Sequence, residues 1–145
     1  MPANSRFAVA VHVLTLMGCS EGEPIKSDDM ACSVNTNPVV IRRILCTLSK
    51  ANLVASQTGA CGGSRLARTP AKITLLDVYR AVEAGEAFAL HRQPPDPRCR
   101  VGANIAPVLE SVLGRVETAI EQALAKITLE EIVQTVRRHS RAARR

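Results

Sequence analysis

From Asn104 to Lys126, apolar residues return at close to every 3.5 positions: Ile105, Val108 and Leu109, Val112 and Leu113, Val116, Ile120 and Leu124. This spacing predicts one amphipathic helix of roughly 35 Å at 1.5 Å per residue. In a chain of 145 residues, such a stripe outruns what a small core can cover and needs a surface to hide against. The identical helix of a second copy is one solution, and packing on the helix's own domain is the other. The eight named residues are the expected interface of a homodimer.

The preceding residues read as short helices and a hairpin. Residues 5–18 repeat Phe7, Val11 and Leu14 at helical spacing, with Asn4 or Ser5 available as cap and Gly18 as terminator. Ser27 opens a second short helix, SDDMACSV, with two aspartates in its first turn. Thr36-Asn37-Pro38 then offers a cap followed by the residue best tolerated at a first helical position, and Val40, Ile44, Leu45 and Leu48 form the apolar face of a third helix. Arg42 and Arg43 fall off that stripe and point outward.

LVASQT (53–58) and SRLAR (64–68) alternate around GACGG, as expected of a β-hairpin with a glycine-rich tip. Three helices followed by a hairpin make a winged helix-turn-helix. The fold class is therefore mainly α with a small β-hairpin, followed by a long C-terminal dimerisation helix. ITLLDVYRAV, capped by Thr74, is a fourth helix, residues 85–100 with their three prolines form a loop, and ITLEEIVQTV (127–136), capped by Thr128, is a last short helix. The basic RRHSRAARR end reads as disordered. The expected organisation is a DNA-binding domain at 1–83, a linking and sensor loop at 84–103, dimerisation and C-terminal helices at 104–138, and a basic tail at 139–145.

Charge sets the partner. The net charge is +6, and between Asp29 and Asp77 no acidic residue interrupts Arg42, Arg43, Lys50, Arg65, Arg68 and Lys72. A polyanion meets this segment unopposed. The glycines at 59, 62 and 63 fit neither a Walker loop, which needs GxxxxGK[ST], nor a dinucleotide fingerprint. They suit close backbone approach to a phosphate, or a mere tight turn. With two phenylalanines, one tyrosine and no tryptophan there is no stacking platform for single strands, which leaves double-stranded DNA as the expected partner.

Other chemistries find little support. The five cysteines, at 19, 32, 46, 61 and 99, include no CxxC pair and no cysteine, histidine and acid set at catalytic or metal spacing, so neither an enzyme nor a metal site is expected. His12 reads as a packed histidine on the interior or flank of the first helix. Cys32 and Cys46 read as core fillers beside apolar helix faces. Cys61, on the wing tip, and Cys99, between Arg98 and Arg100, are the redox-sensing candidates, the arginines being expected to lower the Cys99 thiol pKa. An inert thiol is the competing reading. No segment approaches the roughly 20 apolar residues of a membrane span, and a cytoplasmic protein is expected.

SRFAVAVHVLTLM, NTNPVVIRRIL, GACGGSRLAR, ITLLDVYRAVE and CRVGANI, in this order and spacing, resemble the Rrf-two family of dimeric winged-helix transcription regulators over nearly the whole chain. The resemblance implies binding to a pseudo-palindromic promoter as a dimer, most often in repression. It places base reading at Asn37, Pro38, Val39, Arg42 and Arg43, and backbone or minor-groove contacts at Gly62, Gly63, Ser64 and Arg65. Cluster-binding members carry three cysteines before the long helix. Here Cys99 stands alone, so the chain resembles the branch without an iron–sulfur cluster, and no cofactor is expected. A winged-helix protein–protein adaptor is the alternative function.

Overall fold

The computed structural model describes residues 3–83 and 87–144. Positions 84–86, where the linking loop was expected to begin, and Arg145 lie outside the described residues. The chain forms two compact units, one of residues 1–84 and 124–145 and one of residues 85–123.

In the first unit, α1 (Ala3–Cys19) is followed by α2 (Ser27–Val34) and α3 (Pro38–Lys50). α1 begins before its expected caps, so Asn4 and Ser5 lie inside the helix, and it runs one residue past Gly18. α2 ends at Asn35, which adopts the left-handed conformation (φ 63°) that stops a helix. The side chain of Asn37 caps α3 by accepting the Val39 N–H at 2.8 Å, with Pro38 as the first helical residue. The wing pairs β1 (Val54–Gln57) antiparallel with β2 (Gly63–Leu66), Val54 opposite Leu66 and Gln57 opposite Gly63. A third segment joins through Ile25, which exchanges backbone hydrogen bonds with Ser64 at 2.9 and 2.8 Å.

A short 3-10 turn at Pro70–Lys72, unforeseen in the sequence, leads to α4 (Leu75–Val82). Thr74 and Asp77 form a reciprocal capping box at its start. α6 (Leu129–Ala143) then returns to the same unit, where Leu129 and Val133 complete a core built from Val13, Leu14 and Met17 of α1, Met30 of α2, Ile41, Ile44 and Leu48 of α3, and Ile73 and Val78. An isolated antiparallel bridge guides this return: Leu75 N–H donates to Ile127 O at 2.9 Å and Leu129 N–H donates to Ile73 O at 2.8 Å.

Two expectations about this end of the chain are corrected. The basic tail is helical to Ala143 and not disordered, because arginine and alanine are good helix formers. Glu130 and Glu131 in the first turn and Arg141 in the last also complement the helix dipole. Sequence grouped this helix with the dimerisation element, whereas its apolar face belongs to the core of the first unit. At Gly18 a Cβ would stand 2.7 Å from Val133 Cγ2, so glycine is what lets the two helices meet.

The second unit holds an irregular segment from 87 to 104 and all but the last two residues of α5 (Ile105–Ala125), a helix close to the one expected at 104–126. None of the described helices is long and apolar enough to cross a membrane.

Leu129 is fully buried. Leu129→Ala should lower the unfolding free energy by about 2–5 kcal/mol in urea titration. A change below about 0.5 kcal/mol would show that α6 is not part of the core.

Candidate nucleic-acid interface

α3 separates its residues cleanly by side. Ile41, Ile44, Leu45 and Leu48 are buried, while Val39, Arg42, Arg43, Cys46 and Lys50 are exposed and recur at the three- and four-residue steps of one helix face. The result is an outward stripe with three cations and no acid of its own. Cys46 belongs to this stripe, which corrects its reading as a core filler. Its position is 100° beyond Leu45 and in register with Arg42, a signal present in the spacing but outweighed by the apolar character of a thiol. Cys32 is exposed as well, since Met30 and Ala31 already take the buried side of the short α2.

The expected contact residues do not all present the same chemistry. Asn37 commits its Oδ1 to the cap, leaving the side-chain amide N–H groups as donors. Val39 is 45% exposed at the tip of α3 and Pro38 is half-buried beside it. In the wing, Arg65 alone among the four expected residues has an exposed side chain. Gly62 is buried, donates its N–H to Gly59 O at 3.0 Å, and has no room for a Cβ, which would run into the Gln57 carbonyl. Gly63 packs on Ile25, whose backbone would lie 2.8 Å from a Cβ. Ser64 is buried, with its backbone bonded to Ile25 and its hydroxyl 3.5 Å from that of Ser56. These three residues shape the wing, and the surface of its tip is made by residues 58–61 together with Arg65.

Arg68, counted with the wing's charge, serves its base. One guanidinium nitrogen lies 3.7 Å from Asp77 and another donates to Ala51 O at 3.4 Å, bracing the hairpin against α4 and the end of α3. His12 is exposed on α1, with Nε2 at 2.9 Å from Ser33 Oγ, and so lies on the flank.

In the second unit, Val108, Val112 and Val116 are 55%, 44% and 37% exposed along α5. Ile105, Leu109, Leu113, Ile120 and Leu124 are half-buried, and no residue of the helix is fully buried. Cys99 is exposed before this helix. Its thiol pKa is held below the ordinary value by hydrogen bonds from the backbone N–H of Gly102 and of Val101. The expected direction is right and the expected cause is not. Arg98 turns to Asp96, with Nε at 3.4 Å from Oδ1, and backbone amides stabilise the sulfur instead. Cys61 is exposed at the wing tip.

A winged helix-turn-helix whose third helix presents a cationic outward stripe and carries no acid of its own defines a DNA-binding protein. The comparisons agree. The Rrf2 family profile, described as an iron-dependent transcriptional regulator, matches residues 3–135. The Bacillus subtilis (strain 168) protein named as the HTH-type transcriptional regulator YwnA is 44% identical over 131 residues, 90% of this chain and 96% of its own. A solved structure described as a DNA binding protein is 38% identical with a TM-score of 0.70, over 88% of this chain and 97% of its own. That of T. potens IscR is 26% identical with a TM-score of 0.68, over 90% and 85%. The chain belongs to the Rrf2 family of DNA-binding transcriptional regulators, which are not enzymes.

Iron in the family's description raises the question of a metal or cluster. Among the described residues no three or more His, Cys, Asp or Glu side chains gather where they could hold a metal ion, and the loop before α5 supplies one thiol.

A thiolate is the reactive form, so a lowered pKa brings reactivity to lower pH. Alkylation by iodoacetamide, mapped by mass spectrometry against pH, should show Cys99 at half-maximal rate at a pH below the value for the same thiol in the urea-unfolded protein. An inflection at or above that value would mean that the two amides do not stabilise the sulfur.

Proposed function

We propose that the protein is a homodimeric, sequence-specific regulator, acting chiefly as a repressor in the cytoplasm, which lays α3 of each protomer in the major groove of a pseudo-palindromic operator. The observation that carries this reading is the outward stripe of α3, with Val39, Arg42, Arg43 and Lys50 on one face inside a segment without acids. Asn37 and Pro38 stand at the helix end that enters the groove, and Arg42 or Arg43 supplies the donor pair for guanine O6 and N7. Arg65 and the tip of the wing lie along the neighbouring backbone, in the form set by Gly62, Gly63 and Ser64. The valine stripe of α5 is the surface for a second copy, with Ile105, Leu109, Leu113, Ile120 and Leu124 around it. A two-fold dimer brings two recognition helices to half-sites about 34–36 Å apart.

The protein works in this reading without a resident cluster, and thiol chemistry is its route to a signal. Modification of Cys61 would place bulk or charge on the wing tip, and Cys99 is the exposed thiol whose ionisation the Gly102 and Val101 amides favour.

Selection of bound sequences from a random duplex pool, with reduced and with peroxide-treated protein, tests the reading. A palindromic consensus that weakens on oxidation is expected. A consensus indifferent to oxidation would remove the thiol signal, and no consensus would remove the regulator in favour of a protein adaptor. On the consensus site, Arg43→Ala should cost about 1–3 kcal/mol and relax preference at one base pair. Val112→Asp should yield monomers in sedimentation while the first unit keeps its helical circular dichroism. A dimer of unchanged strength would exclude the α5 stripe as the interface.

A further inference from the structure

Arg42 and Arg43 are neighbours on α3 with different surroundings. An Arg42 terminal nitrogen lies 3.4 Å from Asp28 Oδ1, with the two side chains 59% and 73% exposed. The guanidinium of Arg43 has no hydrogen bond or ion pair with any described residue. Asp28 stands in the first turn of α2 beside Asp29, the last acid before the acid-free segment. Sequence order separates Asp28 from that segment, and the fold brings its carboxylate back to the recognition face.

This placement has a consequence for what Arg42 can bind. A phosphate drawn to Arg42 brings its negative charge beside the Asp28 carboxylate, and the repulsion offsets much of the attraction. A guanine edge is neutral. It accepts two N–H groups from the guanidinium, which has five, while Asp28 retains one of the others. We infer that Asp28 is a positioning residue for specificity, holding Arg42 so that it favours a base edge over a phosphate. This rests on the DNA-reading function proposed above.

The test measures affinity for the selected operator and for a random duplex, across salt concentrations, in the wild type and in Asp28→Asn, Asp29→Asn, Arg42→Ala and the Asp28→Asn/Arg42→Ala double variant. Freed from its partner, Arg42 takes a phosphate on random DNA. Asp28→Asn should therefore bind random duplex about two- to fivefold more tightly, the change expected from losing an exposed ion pair. Its salt slope there should steepen by about one. The operator should gain less, so the operator-to-random ratio falls. In the Arg42→Ala background the same substitution should leave the ratio unchanged, because the effect passes through Arg42. Asp29→Asn reports the general effect of removing a nearby negative charge and should raise both affinities alike. Thermal melts establish that each variant is folded.

A ratio unchanged in Asp28→Asn, a fall matched by Asp29→Asn, or a fall that persists without Arg42 would overturn the inference while leaving DNA reading intact. A wild type with no operator preference would overturn both.

Discussion

Two backbone hydrogen bonds, between Leu75 and Ile127 and between Leu129 and Ile73, hold the first unit closed. They join segments more than fifty positions apart and set Thr74 beside Thr128, each of which caps the helix that follows it. From that bridge α6 runs back along α1, and Leu129 and Val133 close the core. α1 is then fixed on the side facing α6, and its buried Ala10, Val13, Leu14 and Met17 contribute to the core that α2 and α3 share. The exposed half of α3 follows from this arrangement: with Ile41, Ile44, Leu45 and Leu48 committed inward, the arginines have nowhere to go but out.

The wing obeys the same logic with different means. Its charge is sparse, because Arg68 is taken by Asp77 and the Ala51 carbonyl. What distinguishes it is backbone proximity. Gly62 and Gly63 lie so close to Gln57 and Ile25 that no side chain fits, and the Ile25–Ser64 pairing seats the hairpin on the connection between α1 and α2. Pinned at Gly63 and Ser64, next to its turn, the hairpin presents a defined tip.

Much of this was legible in the sequence because it is written locally. The Asn37-Pro38 start of α3, the threonine caps of α4 and α6, the α5 repeat and the glycine-rich hairpin each depend on a few neighbouring residues. What escaped depends on distant ones. Nothing near Ser64 announces that Ile25 will cover it, and nothing near Arg68 announces Asp77. The extension of α6 escapes a reading that equates charge density with disorder, although arginine and alanine favour a helix there. Cys46 was misplaced by its residue type although its register was available. For Cys99 a local argument from flanking arginines found the direction of the pKa shift, while the turn that brings two amides onto the sulfur appears only in three dimensions.

In the dimer proposed above, two recognition helices reach the duplex and the valine stripe of α5 is the contact between copies. Hydroxyl-radical footprinting of the protein on its selected operator tests that claim most directly. Two protected patches on one face of the duplex, centred about one helical turn apart, are predicted. A single patch, or protection spread evenly along the duplex, would contradict it.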